Sequence, residues 1–120
     1  MTHTKTVRAI RIQPGKKPEV IDLKTDLESL QAEVDGYIEF FYPFEDNIIC
    51  IVNDEGKLLN LEPNRILYDE DGKAIDLIVG TLLIVGDDCG GDISDLTDEQ
   101  IKFQTMYWSN LYADPRRLVR

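Results

Sequence analysis

Histidine is almost missing from this sequence: His3 is the only one in 120 residues. Without a second imidazole, a Ser–His or Cys–His relay would have to be built on a residue close to the chain's start. A zinc site of ordinary composition lacks its ligands too, because only Cys50 and Cys89 are left to supply them. Two cysteines are also too few for a disulfide framework, and Cys50 lies inside the apolar run IICIV, as a reduced core residue would. Long hydrophobic runs are lacking. IICIV and LIVGTLLIVG are short or interrupted, far from the roughly 20 apolar residues that cross a bilayer. The opening MTHTKTVRAIRI has basic residues but no apolar core and no small-residue cleavage site, so it does not read as a signal peptide. Glycine spacings match neither a phosphate loop nor a dinucleotide fingerprint. No repeat and no low-complexity segment is present. These absences predict a cytoplasmic protein without a membrane segment, without a cofactor or metal, and without a catalytic constellation; the expectation is a protein that is not an enzyme.

What the sequence has is acid. Its net charge is −10, and the distribution is more telling than the total. Residues 1–18 carry +5, residues 19–104 carry −17 and residues 105–120 carry +2. Nucleic acid is held by Lys and Arg that neutralise phosphates, so direct DNA binding by the acidic body is disfavoured. Offering carboxylates to a basic partner is physically open, and so is simple solubility.

Size and pattern predict one α+β domain over residues 1–112, with a basic tail at 113–120 carrying Arg116, Arg117 and Arg120. Val7–Ile12 and Glu19–Lys24 read as strands joined at Gln-Pro-Gly. Thr25-Asp-Leu-Glu28 is a capping-box pattern, followed by Leu27, Leu30 and Val34 on one helical face and Gly36 as a C-cap. Tyr37–Tyr42 and Asn47–Asn53 read as a hairpin, the second strand apolar on both faces. Pro63 suits the first turn of a short helix. Asp76–Val85 reads as one strand bulged at Gly80. Thr97-Asp-Glu-Gln100 caps a C-terminal helix whose apolar face holds Ile101, Phe103, Tyr107, Trp108, Leu111 and Tyr112. The predicted architecture is a mostly antiparallel sheet of about five strands, a helix after strand 2, a short helical turn near Pro63 and a C-terminal helix.

Candidate sites are few. Asp69-Glu-Asp-Gly72 fails as a calcium loop, since glycine stands fourth rather than sixth and Gly80 holds the twelfth place. Asp-Gly between β-prone runs reads as a hairpin turn instead. Asp87, Asp88, Cys89 and Asp92 read as a solvated glycine-rich loop. Phe40, Phe41, Tyr42 and Phe44 read as strand and hairpin packing, with base stacking as the other reading. Tyr107, Trp108 and Tyr112 are the candidate interface, including one between two copies of the chain.

Asn53, Glu55-Gly56-Lys57, Pro63-Asn64-Arg65, Asp76, Gly80 and Thr97-Asp-Glu-Gln-Ile101 occur in an order that resembles the family called domain of unknown function 3846, over about Tyr37 to Tyr107. Glu62 and the basic tail depart from its pattern. The resemblance implies small proteins of phages, plasmids and integrative elements, found beside antirestriction-type domains. It thus implies a role in counteracting or tuning host defences, inside a bacterial cell. It supplies no catalytic residues. Within its ordered set, Asp54-Glu-Gly56 reads as a tight hairpin turn with Gly56 at positive φ. Lys57, Asn64, Arg65 and Asp76 are the candidate binding residues. Arg65 is either an internal clamp for a carboxylate such as Asp76 or a fork for an anionic partner. The expected function is a non-enzymatic accessory protein that binds a basic, nucleic-acid-handling host protein. The alternatives are a domain that sequesters a nucleotide-like molecule and a dimerisation module.

Overall fold

A computed structural model describes residues 5–109. Strands β1 (Thr6–Ile12) and β2 (Glu19–Lys24) form the hairpin expected around Gln-Pro-Gly, with Gly15 at a φ of 72° in the turn. Helix α1 (Leu27–Val34) follows, but its N-cap is Asp26 and not Thr25. The Asp26 carboxylate accepts from the Ser29 amide at 3.1 Å and from the Ser29 hydroxyl at 2.7 Å. Thr25 instead donates its hydroxyl to the Lys5 carbonyl, tying the end of β2 to the start of β1. At the helix's other end Asp35 takes the left-handed conformation. Gly36 meets a different need, since a Cβ there would lie 2.7 Å from Asn53 Nδ2.

Strands β3 (Ile38–Phe41) and β4 (Ile48–Asn53) pair as the predicted hairpin. The chain then leaves the sheet. Strands β5 (Pro63–Tyr68) and β6 (Ala74–Val79) make a separate two-stranded ribbon, turning at Asp69–Lys73 with Gly72 at a φ of 78°, as the Asp-Gly signal predicts. Strand β7 (Leu82–Asp87) returns between β1 and β4, and short β8 (Ile93–Ser94) pairs with its far end. The main sheet runs β2-β1-β7-β4-β3, every pairing antiparallel. Helix α2 (Asp98–Trp108) carries the predicted Thr97–Gln100 capping box.

The fold is α+β with a mostly antiparallel sheet, and two expectations within it are corrected. Pro63 opens a strand rather than a helical turn; at the end of a two-stranded ribbon its missing N–H costs the ladder little. Asp76–Val85 is not one bulged strand but two strands in different sheets, with Gly80 as the corner at a φ of 71°. A Cβ on Gly80 would also come within 2.8 Å of Leu61 Cδ1. With short β8, the described strands number eight, five of which form the path of the main sheet.

Alternation along β1 separates two cores. Val7 and Ala9 face α1 together with Leu23, Ile49, Ile51, Leu83 and Val85. Ile10 and Ile12 face the opposite side with Cys50, Leu82 and Ile84, where α2 and the ribbon bring Trp108, Leu67 and Ile78. Strands β4 and β7 are therefore buried on both faces, which is why their sequences read as apolar runs and not as alternation. Gly86 lets the return through β7 happen: a Cβ there would meet the Asp95 carbonyl at 2.5 Å.

Candidate functional site

Asn64 and Arg65 lie next to each other on β5, and both are buried against the main sheet. Asn64 Nδ2 donates to the Ile12 carbonyl at 2.9 Å and to the Gly80 carbonyl at 2.7 Å. Its Oδ1 accepts from Arg65 Nη1 at 2.8 Å. Arg65 Nε donates to the Trp108 carbonyl at 2.8 Å and Nη2 to the Lys16 carbonyl at 2.6 Å. Two side chains thus connect the end of β1, the β1–β2 turn, the Gly80 corner and the last turn of α2. The expected clamp of Arg65 on Asp76 is not formed. The guanidinium is fully buried and donates to the carbonyls of Trp108, Asn64 and Lys16, which ties these segments within the fold.

Asp76 pairs instead with Lys57, at 2.7 Å across the mouth of a cleft of about 270 Å³. Both side chains are exposed, and an exposed pair contributes at most about 1 kcal/mol. The cleft lies between β3–β4 on one side and β6 on the other, closed at one end by residues 54–58. That closing segment is not the hairpin turn expected of Asp54-Glu-Gly56, because β4 and β5 belong to different sheets. Nor does Gly56 have positive φ; the left-handed residue of this loop is Asn60, at 55°. Gly56 is required by contact, since a Cβ would stand 2.8 Å from Val79 Cγ2. Of the four candidate binding residues, the structure brings Lys57 and Asp76 together and places Asn64 and Arg65 elsewhere. Among the described residues Lys57 is the one basic side chain lining the cleft, beside Glu39, Asp54, Glu55 and Asp76.

A second, more open groove of about 690 Å³ runs between the β5–β6 turn and α2. Its floor is aromatic. Phe44 packs edge-on against Tyr107 with ring centroids 5.1 Å apart, and against Phe103 at 6.3 Å. Burial pushes the Tyr107 phenol above its usual pKa, an effect partly offset by a hydrogen bond with the Tyr68 backbone. Around this floor stand Glu45, Asp69, Glu70 and Asp71, and no basic residue lines the groove among the described residues. Asp69 is engaged by the amides of Asp71 and Lys73. The ion pairs of the described residues use Asp92, Asp98, Glu19, Glu33 and Asp76, none of them from the groove.

The aromatic interface group is divided by the fold. Trp108 is fully buried, its Nε1 donating to Gln104 Oε1 at 2.8 Å. Tyr107 is half-buried in the groove, Phe103 is 56% exposed, and Tyr112 lies outside the described residues. The acids near Cys89 are used locally: Asp88 accepts from the amides of Gly90 and Asp92, and those backbone bonds hold its carboxyl below the usual range. Among the described residues no group of three or more His, Cys, Asp or Glu is arranged to hold a metal, and no helix is long and apolar enough to cross a membrane.

The family model described as domain of unknown function DUF3846 matches residues 7–110. The chain belongs to the DUF3846 family. No curated protein and no solved structure matches it. The match covers both helices and all eight described strands, except for the first residue of β1. The residues that carry the resemblance to DUF3846 are largely those that shape its fold. Asn53 is buried and donates to the Val34 carbonyl, Gly56 and Gly80 sit at close approaches, Asn64 and Arg65 tie four segments, and Thr97 caps α2. The acid-rimmed groove was not gathered by sequence reasoning, because its parts come from residues 43–45, 67–75 and 103–107. The signal present was Phe44 beside Glu45 and the acids of the Asp69 turn, which nothing in the sequence places together.

Proposed function

We propose that this DUF3846 domain is a non-enzymatic accessory protein that acts by binding a basic, nucleic-acid-handling protein. The observation that carries the reading is the open aromatic groove rimmed by Glu45, Asp69, Glu70 and Asp71, with no cation among the described residues that line it. Rings that remain partly accessible supply contact area, and carboxylates that no described residue engages in an ion pair supply complementarity to Lys and Arg. The −17 carried by residues 19–104 extends the same sign of field beyond the groove and favours encounter with a basic surface. In the phage and mobile-element setting that the family resemblance implies, the partner would be a host defence protein whose nucleic-acid surface the acids occupy.

The test is affinity capture on the immobilised chain from a bacterial lysate, beside a variant carrying Glu45→Gln, Glu70→Gln and Asp71→Asn. The expected result is recovery of basic nucleic-acid-binding proteins, released by raised salt or by competing duplex DNA, and lost with the variant. Recovery that is unchanged in the variant, or that contains no basic nucleic-acid protein, overturns the reading.

A further inference from the structure

Strand β3 forms one end of the main sheet, and no described strand pairs with its outer side. The Asp54 amide donates to the Tyr37 carbonyl at 2.8 Å, which makes Tyr37 and Asp54 a hydrogen-bonded pair. Antiparallel ladders alternate, so Glu39 with Val52 and Phe41 with Cys50 are the next bonded pairs. The N–H and C=O groups of Ile38 and Phe40 therefore point outward, away from β4. Sheet edges are commonly guarded by proline, bulges or rows of charge. β3 has no proline, pairs without a register shift, and carries one charge, Glu39.

Glu39 and Phe41 project to the same face as Val52, into the cleft walled by β6. A strand added along β3 would send every second side chain to that cleft. The cleft offers such side chains two chemistries. Phe41, Val52 and Ile78 provide apolar surface, while Glu39, Asp54 and Glu55 provide negative charge that the ion pair of Lys57 with Asp76 does not offset.

We propose that the β3 edge is a docking site for an extended segment of a partner protein, added antiparallel as a further strand. Its cleft-facing positions carry apolar and Lys or Arg side chains. A second copy of this chain is the poorer occupant, since each copy carries a net charge of −10. The site uses main-chain contacts on a surface separate from the Phe44–Tyr107 groove, so the two proposals stand or fall independently.

The probe is a fluorescein-labelled octapeptide, Thr-Val-Thr-Lys-Thr-Val-Thr-Lys, whose Val and Lys share one face of a strand. Any acidic protein attracts such a cation, so two N-methylated versions of equal charge decide the matter. In antiparallel pairing the Thr residues stand opposite Ile38 and Phe40 and make the bonds. Methylating the two central Thr amides is expected to weaken binding at least about tenfold, the loss of two main-chain donors at roughly 1 kcal/mol each. Methylating instead the Lys amide between them and the Val amide that follows the second of them, two amides that face away from β3, is expected to change it less than about threefold. On the protein, Phe40→Pro removes an outward N–H and leaves the ladder bonds of Glu39 and Phe41 intact; it is expected to abolish binding at an unchanged unfolding temperature. Glu70→Gln in the groove is expected to leave peptide binding as it was. No binding at about 1 mM peptide, or equal effects of the two methylations, overturns the proposal, and the methylation comparison needs no variant of the protein.

Discussion

Replacing Asn64 with alanine separates a structural reading of the Asn64–Arg65 pair from a binding one. The change deletes two donor bonds, a buried one to the Ile12 carbonyl and a part-buried one to the Gly80 carbonyl, and the acceptor of Arg65 Nη1. A neutral buried hydrogen bond contributes about 0.5–1.5 kcal/mol net, and one to a charged group about 1.5–3. The three share one side chain and are not additive, so a loss of about 3 kcal/mol is expected. For a domain of this size each kcal/mol moves the melting temperature by about 4 °C, which gives a fall of about 12 °C. In urea, with a slope of about 1.5 kcal/mol/M, the midpoint falls by about 2 M with the slope unchanged. Arg65→Lys keeps the charge but cannot present a fork to Trp108, Asn64 and Lys16 together, and a loss of about 2–3 kcal/mol is expected. The double variant should be less damaged than the sum of the singles by at least about 1 kcal/mol, because each single already breaks the bond they share. Chemical denaturation of the four proteins measures this cycle. A loss below about 1 kcal/mol for Asn64→Ala, or additivity within about 0.5 kcal/mol, would refute the structural reading.

Cys50 is fully buried and its burial raises the thiol pKa, whereas Cys89 is exposed, so a thiol reagent at neutral pH should titrate one cysteine in the native protein and two in urea. Gly86→Ala should destabilise by about 2 kcal/mol or more, since its Cβ meets backbone oxygens that cannot step aside, and calorimetry should show a far smaller effect for Gly90→Ala, whose nearest neighbour is a side-chain oxygen at 3.2 Å. Asp26 accepts from the Ser29 hydroxyl and amide, which hold its carboxyl below the usual value. Its contribution to stability is therefore full above the unfolded Asp pKa near ~3.9 and is lost as pH falls through the lower folded value. Carboxyl NMR titration should find the depressed pKa and show it rising in Ser29→Ala; an unchanged value would remove the hydroxyl from the account.

Local chemistry was legible where it stayed local. Gln-Pro-Gly, Asp-Gly at 71–72 and Thr97-Asp-Glu-Gln100 each define a turn or cap within a few residues, and each forms as read. Capping of α1 was missed by one residue because Thr25 and Asp26 are both competent caps. The third party that decides between them is the Lys5 carbonyl, 20 residues away, which takes the threonine hydroxyl. Gly80 shows a different failure. A glycine inside an apolar run signals either a bulge or a corner, and only the destination of the following strand tells them apart. Here β7 goes to the centre of the main sheet while β6 stays in the ribbon.

Arg65 illustrates why site residues are harder to read than strands. Its sequence neighbours include many acids, which favours a carboxylate clamp, yet Asp76 pairs with Lys57 and the guanidinium donates to carbonyls of distant segments. Those carbonyls belong to Lys16 and Trp108, 49 and 43 residues away, and no composition or spacing rule selects them. The same separation hides the groove. Phe44 and Tyr107 look like two isolated core aromatics until α2 is laid across the sheet, and the acids of the Asp69 turn look like ordinary turn polarity until the ribbon folds over beside them. A set of residues shared in order with a family thus marks two kinds of position in this chain. Buried Asn64 and Arg65 hold segments together, while exposed Lys57 and Asp76 stand at a cleft beside β3, whose outer side no described strand pairs.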